Sequence, residues 1–321
     1  IHEEGCSIVG MDRSGIPAAV EAARQAEVAV LVVGGRSGLA GVNVLSDEER
    51  YVDFAIGEEI GESDGEFHDR ISLGLPGVQQ ELVEAVIATG TPTVVVLVNG
   101  RPLALPWLKE HATAIVEAWL PGEEGGNAVA DVLFGDHNPS GRLPVSIPKD
   151  VGQTPVHYNR RYISQNRHYL EVDSKPLYPF GFGLSYTTFE YGGLSVAIAG
   201  EALVVSFTVT NIGERAGRDV PQVYVSDRVA SRTRPLMELK GFCSVHLASG
   251  EGRQLRFSIP LELLSFLDQE GSWITEPGDF LISVGYNAEN LPLQATVTLS
   301  GDKRIYPVRT RFFSACVMSV G

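Results

Sequence analysis

The chain has 321 residues, of which 44% are hydrophobic, and it carries a formal net charge of -15 at pH 7. This hydrophobic content is enough to bury a sizeable core, and the length predicts two domains. The negative charge excludes nucleic acids and anionic membrane surfaces as favoured partners, because the long-range field repels both. A neutral ligand such as a sugar is not repelled. No apolar run reaches the roughly 18 residues that a membrane-spanning helix needs.

Cysteine usage gives no sign of a disulfide framework or a metal centre. The three cysteines, Cys6, Cys243 and Cys316, are odd in number and far apart, so we expect plain core or surface thiols, no metal and no cofactor. This usage slightly favours the cytoplasm. No signal peptide is visible, but the first residue is Ile1 rather than Met, which suggests that an upstream part has been removed or was not included. Localisation therefore stays unknown.

The first half of the chain alternates helical patterns with short apolar runs. The helical patterns cover 16–26, 78–89, 106–111 and 127–134, and the apolar runs cover 28–33, 93–98 and 114–119. This order predicts an α/β fold, a mostly parallel sheet sandwiched by helices, with the first run buried on both faces. Ligands of such folds bind in the loops that follow the carboxyl ends of the strands, which are here 34–74, 99–105 and 120–126.

The second half shows the two-residue alternation of half-buried strands. Runs at 203–211, 222–226, 253–259 and 280–285 are separated by turn residues. They predict an all-β, immunoglobulin-like sandwich of the fibronectin type III kind, with a core that includes Val205, Phe207, Val209, Val223 and Val225. We place the α/β domain at 1–150, an interdomain linker segment at 151–186, the sandwich at 187–300 and a carboxyl-terminal tail at 301–321.

One acidic loop is a candidate for chemistry. The sequence Asp64-Gly65-Glu66-Phe67-His68-Asp69-Arg70 places Glu66 on a loop led by glycine, just ahead of a predicted helix start. A carboxyl group held on a loop above a rigid scaffold is a common way to present a general acid to a substrate. The alternative is a solvated acidic surface loop.

Two other glycine-rich stretches match known motifs only in part. Gly61-Glu62-Ser63-Asp64-Gly65 has the letters of the G-x-S-x-G nucleophile elbow, but the residues before it are acidic rather than strand-like, which argues against a serine hydrolase. The stretch 34–38 follows a predicted strand but lacks the G-x-G-x-x-G spacing of a dinucleotide site.

Four passages together resemble glycoside hydrolase family 3, the β-glucosidase and β-xylosidase family, in its carboxyl-terminal half. They are 65–70 with 75–79, 118–128, 133–144 and 178–186. The resemblance continues at 209–213, 234–242 and 276–280, which are similar to the fibronectin type III domain of the family. Nearly the whole chain from Cys6 to about Leu299 is covered.

The resemblance implies a division of catalytic labour. Family members place the nucleophilic Asp on a preceding (β/α)8 barrel, and a loop of the α/β domain supplies the general acid/base Glu, whose matching position here is Glu66. We expect the next four residues to contact substrate: Phe67, His68, Asp69 and Arg70. Where members carry Gly-Glu-Gly-Tyr-Asp-Arg, this chain has Phe and His in place of the second Gly and the Tyr. The segment 42–62 is longer than usual for the family and supplies two rival carboxylates, Glu59 and Glu62.

The implied function is a portion of a retaining exo-acting β-glycosidase, with β-glucosidase as the preferred activity. Its partners would be a β-linked oligosaccharide or glucoside and the missing barrel, since no barrel of about 250 residues fits ahead of Cys6. Retaining enzymes need two carboxyl groups about 5–5.5 Å apart, so this chain alone should not turn over substrate. Two alternatives remain: a non-catalytic carbohydrate-binding or scaffold module, and a self-sufficient hydrolase that uses Ser63 or a carboxylate pair of this chain.

Overall fold

The computed structural model describes residues 1–37, 63–65, 69–161 and 169–320. The chain divides into two compact units. The first comprises Ile1–Leu133 and Ile147–Thr154, and the second comprises Phe134–Ser146 and Pro155–Gly321. Within these ranges, no helix is both long and apolar enough to cross a membrane.

The first unit is built on a parallel sheet with strand order β1-β2-β3. The strands are β1 Ala29–Gly34, β2 Thr93–Val98 and β3 Ala114–Trp119, and the helices are α1 Ile16–Arg24, α2 Gln79–Ile87, α3 Pro106–His111 and α4 Gly125–Phe134. Proline in the first turn of α1 and of α3 suits a position whose N–H has no helical partner. The predicted α/β class is confirmed.

One face of this sheet carries a hydrophobic core cluster of the first unit. Val33 of β1 and Val95 of β2 pack with Val83 of α2 and Leu108 of α3. The intervening β1 side chains point the other way, and Val32 is 66% exposed. The expectation that this strand is buried on both faces is therefore wrong within the described residues, because α1, α2 and α3 pack on the face that carries Ala29, Leu31 and Val33.

The second unit is an antiparallel β-sandwich. Its strands are β4 Phe189–Ala199, β5 Ala202–Asn211, β6 Gly217–Asp219, β7 Gln222–Asp227, β8 Glu238–Phe242, β9 Val245–Leu247, β10 Gly252–Pro260, β11 Phe266–Leu267, β12 Trp273–Thr275, β13 Gly278–Gly285, β14 Leu293–Leu299, β15 Arg304–Tyr306 and β16 Ala315–Val320. The two main sheets have the orders β16-β10-β5-β4 and β14-β13-β7-β8. The all-β half of the predicted fold class is confirmed as well.

The sandwich core contains the residues that the alternation predicts. All five predicted core residues are at most 4% exposed: Val205, Phe207, Val209, Val223 and Val225. The segment 301–321, set apart above as a tail, instead holds two strands of this unit. β16 pairs with β10 along its whole length, so it forms the outer strand of one sheet.

Of the predicted linker 151–186, residues 151–154 belong to the first unit, and the described residues from 155 onward belong to the second, together with 134–146. Leu143 exchanges backbone hydrogen bonds with Gly181 and Phe182, both at 2.8 Å. The Asn138 side chain accepts hydrogen bonds from the Ser185 hydroxyl and the Tyr186 N–H, also at 2.8 Å. These contacts fix 178–186 within its own unit.

Candidate active site

The carboxyl ends of β1 and β2 lie at one edge of the parallel sheet, and the start of the acidic loop 64–70 lies at the same edge. Gly34 ends β1 with a φ of +136°, and a Cβ there would lie 2.1 Å from the Val98 carbonyl oxygen. Only glycine fits this close approach. The Gly34 N–H donates to Gln79 Oε1 at 2.7 Å, and the Gly35 N–H donates to the Val98 carbonyl at 2.7 Å. The sheet edge is therefore tightly defined.

Asp64 is bound to this edge by both its backbone and its side chain. The N–H groups of Ser63 and Asp64 donate to the Arg36 carbonyl at 3.0 and 3.2 Å. The Asp64 side chain is 2% exposed, and its Oδ1 accepts from Arg101 Nε at 2.5 Å. Arg101 follows the end of β2. The position two residues before Glu66 is thus anchored to the ends of two strands.

Arg70 lies close to the same ion pair. Its Nη2 donates to the Gly74 carbonyl at 2.8 Å, and its Nη1 is buried with no hydrogen-bond partner among residues of the described ranges. Burial lowers the pKa of Arg70, the Asp64 carboxylate raises it and the Arg101 guanidinium lowers it further. Two cations and one carboxylate therefore share this edge.

The structure locates only part of the predicted site. Glu66, Phe67 and His68 lie outside the described residues, as do the rivals Glu59 and Glu62. Asp69 is exposed and Arg70 is half-buried. The described geometry thus brings Arg70 to Asp64 and Arg101, and the roles of the other predicted residues stay predictions.

Ser63 is held as a structural residue. It is 6% exposed, its hydroxyl donates to Asp64 Oδ2 at 3.0 Å and it accepts from the Arg36 N–H at 3.1 Å. A hydroxyl that donates to a carboxylate already paired with Arg101 is not presented as a nucleophile. Elsewhere, the described ranges contain no cluster of three or more His, Cys, Asp or Glu side chains that could hold a metal ion.

The sequence analysis missed a second carboxylate group at this edge. Glu117 of β3 accepts from the Trp119 N–H at 3.1 Å, and Trp119 adopts a left-handed φ of 52°. The fully buried Asn99 donates its own N–H to the Trp119 carbonyl at 3.0 Å and its side-chain amide to the Arg101 carbonyl at 2.8 Å. Burial raises the pKa of Glu117 to about 7, with the Trp119 and Asn99 hydrogen bonds opposing the shift. The sequence signal for this group is a single acidic residue inside the otherwise apolar run 114–119.

Asn99 joins these groups to the Asp64 pair. Its amide holds the backbone of Arg101, whose side chain holds Asp64. A non-glycine residue in the left-handed region costs about 1–3 kcal/mol and persists where its surroundings fix it. Here hydrogen bonds with Glu117 and Asn99 fix the backbone of Trp119. The carboxyl ends of β2 and β3 are therefore held in a defined conformation next to Arg101.

Comparison with known proteins agrees with this architecture. Residues 4–186 match the glycosyl hydrolase family 3 C-terminal domain, and residues 219–288 match a fibronectin type III-like domain. A β-xylosidase of Formosa agariphila is 41% identical over 307 residues, which are 93% of this chain and 39% of that protein. A periplasmic β-glucosidase of Salmonella typhimurium is 40% identical over 85% of this chain and 34% of its own length.

Solved structures show the same relationship. A β-glucosidase from Erythrobacter marinus matches 90% of this chain with 41% identity and a TM-score of 0.77. A β-glucosidase from Listeria innocua, in complex with glucose, matches 92% with 32% identity and a TM-score of 0.78. The chain spans only 36% and 40% of these two proteins. It belongs to glycosyl hydrolase family 3, of which it contains the C-terminal domain followed by a fibronectin type III-like domain.

Proposed function

We propose that this chain is the acid/base part of a retaining exo-acting β-glycosidase, with β-glucosidase as the favoured activity. We propose further that Glu66 is the general acid/base. The observation that carries the proposal is the anchoring of Asp64 to Arg101 at the carboxyl edge of the sheet, two residues before Glu66. Family membership supports the reaction class, and relatives named β-glucosidase and β-xylosidase support β-linked glucosides or xylosides as substrates.

The nucleophile belongs to a part of the enzyme outside this chain. The chain spans 39% and 34% of the two relatives described above, which leaves room for a barrel domain in a longer protein. We place the nucleophilic Asp on that (β/α)8 barrel, together with most sugar contacts. This chain then contributes one of the two carboxyl groups that a retaining mechanism needs.

The described anchors suit a general acid on the segment between them. Before Glu66, the Asp64 carboxylate is paired with Arg101, and after it the Arg70 guanidinium is bonded to the Gly74 carbonyl. The stretch before Glu66 is thus attached to the residues that follow β2, and the stretch after it is braced within 70–74. Glu66 protonates the leaving oxygen in the first step and removes a proton from water in the second.

Glu66→Gln in the longer protein that includes the barrel tests this assignment. Without the acid, hydrolysis of glycosides with poor leaving groups should fall by about 100-fold or more, and activated aryl glycosides should be cleaved much faster than these. Azide should restore turnover and yield the β-glycosyl azide, because an anion needs no general base to attack the glycosyl-enzyme.

Glu59→Gln and Glu62→Gln are the matched controls and should affect the rate only mildly. An unchanged rate in Glu66→Gln would contradict the assignment. Azide rescue in either control would move the acid/base to that residue instead. A complete protein that binds β-glucosides without hydrolysing any of them would favour the non-catalytic module.

A further inference from the structure

Two thiols from different sheets of the second unit lie against each other. The Sγ atoms of Cys243 and Cys316 are 3.0 Å apart, although 73 residues separate them in the sequence. Cys243 directly follows β8, and Cys316 lies in β16. β8 and β16 are outer strands of the two main sheets, so the pair bridges the sheets along one side of the sandwich.

The backbone brings the two thiols together. Cys316 is in register with Phe257 of β10. A Cβ placed on Gly241 would lie 2.8 Å from Phe257 Cδ1 and 3.0 Å from the Ser314 hydroxyl oxygen. The end of β8 therefore approaches β10 and the start of β16 at a distance that a side chain at Gly241 would prevent. Cys316 lies in a paired strand, and Cys243 lies in the two-residue connection between β8 and β9.

The chemistry of the pair suits thiol oxidation. A disulfide has an S–S distance of about 2.05 Å, so the two sulfur atoms need to approach by about 1 Å. The hydrogen bond between them lowers the pKa of Cys316, whereas that bond and burial raise the pKa of Cys243. Cys316 therefore forms the thiolate first, and the thiolate is the nucleophile of disulfide exchange. Both side chains are half-buried, so a small oxidant has access to them.

We propose that Cys243 and Cys316 form a disulfide that joins the two sheets when the protein meets a small-molecule disulfide such as oxidised glutathione. The Cys316 thiolate attacks one glutathione sulfur and releases one glutathione thiolate. Cys243 then loses its proton and attacks the Cys316 sulfur, which releases the second glutathione. Two protein thiols are oxidised, one glutathione disulfide is reduced to two thiols, and these take up the two protons.

The bond would protect the outer strands of the sandwich. β8 is held in its sheet by β7, and β16 is held in its sheet by β10. A covalent link between the two sheets prevents either strand from separating alone. It also lowers the conformational entropy of the unfolded chain by closing a loop of 73 residues. In reducing compartments the pair stays as two thiols.

The experiment oxidises the folded 321-residue chain with glutathione disulfide, alkylates the remaining thiols and digests the protein without reduction. The alkylatable thiols should fall from three to one, with Cys6 alkylated and one peptide pair linked through Cys243 and Cys316. Cys6→Ser should still form the link. Cys316→Ser and Cys243→Ser should not.

Thermal unfolding gives the second measurement. The midpoint of the second unit should be about 5–10 °C higher for the oxidised chain than for the reduced chain. Cys316→Ser should show the same midpoint with and without oxidant. Three alkylatable thiols after oxidation, or glutathione retained on Cys316, would overturn the proposed bond. A linked chain with an unchanged midpoint would overturn its role in joining the sheets.

Discussion

The Asp64 carboxylate and the Arg101 guanidinium form a 2.5 Å ion pair across 37 residues of sequence, with Asp64 2% and Arg101 25% exposed. Asp64 is the first residue of the acidic loop 64–70, and Arg101 follows β2. Together with the backbone bonds of Ser63 and Asp64 to Arg36, this pair ties the stretch before Glu66 to the sheet. Its removal should therefore affect both stability and the placement of the proposed acid.

Asp64→Asn should destabilise the first unit by about 2–4 kcal/mol, because the buried Asp64 carboxylate and its ion pair with Arg101 are lost. In the complete enzyme the same change should slow hydrolysis of glycosides with poor leaving groups more than that of activated aryl glycosides, since only the former depend on a well-placed acid. Calorimetry measures the loss of stability, and hydrolysis rates across a series of leaving groups measure the effect on the acid.

Asp131→Asn is the control for this change, since Asp131 is an exposed residue of α4. It should leave stability and the leaving-group series unaltered. Equal slowing of both substrate classes by Asp64→Asn would assign the ion pair a structural role alone.

Glu117→Gln should make stability less dependent on pH. Burial raises the pKa of Glu117 from 4.5 to about 7, so the folded state keeps a proton that the unfolded state releases. The stability from this proton is complete below pH 4.5 and is lost as the pH rises through about 7. The variant should gain about 2 kcal/mol over the parent chain between about pH 5 and pH 8.

Urea unfolding of the parent chain, Glu117→Gln and the exposed control Glu123→Gln at several pH values checks this sign. The control should follow the parent chain at every pH. A stability difference between Glu117→Gln and the parent that stays constant with pH would show that Glu117 does not titrate in this range.

Arg142→Met should destabilise the second unit by about 3–5 kcal/mol, because it leaves a buried carboxylate without its cation. Asp219 is fully buried, accepts from Arg142 Nη2 at 2.6 Å and from the Tyr191 hydroxyl at 2.5 Å. Arg218→Gln, at an exposed neighbouring position, should cost much less. Calorimetry of the chain compares the two, and equal losses would contradict the importance of the buried pair.

Gly181→Ala should cost the second unit about 2–3 kcal/mol. Gly181 has a φ of +80°, and an added Cβ would lie 2.1 Å from Gln222 Oε1. Gln222 is 3% exposed and donates to the carbonyls of Gly181 and Tyr286 at 3.1 and 2.8 Å, so it cannot move aside without losing these bonds.

Gly141→Ala is the matched control, since a Cβ at Gly141 would have no atom within 4 Å. Its thermal midpoint should stay close to that of the parent chain. A comparable drop in both variants would mean that general loop rigidity, rather than the contact with Gln222, sets the cost.

Much of the fold could be predicted because turn residues mark its boundaries. The predicted bounds of α3, β2 and β3 are exact, since proline, glycine and threonine bracket short, uniform runs. β16 was missed although 315–320 is largely apolar, because nothing in a terminal segment shows which strand it pairs with. Pairing with β10 is a long-range contact, and local sequence carries no record of it.

The candidate site could be predicted less well, for a related reason. Spacing and resemblance identify the loop 64–70, but they contain no distance between Asp64 and Arg101. The raised pKa of Glu117 depends on its burial and on opposing hydrogen bonds from Trp119, at the end of β3, and from Asn99, which follows β2. Such properties arise only when separate strand ends meet.

The path of the chain between its two units has a consequence for how such proteins can be recombined. Residues 134–146 belong to the second unit, 147–154 return to the first, and the chain then continues in the second. A single crossover between two homologous genes therefore always leaves at least one unit with sequence from both parents. Exchange of an intact unit requires three junctions, at about 133, 146 and 154. Chimeras joined at one junction inherit at least one mixed core, whereas those joined at all three keep each parental core whole.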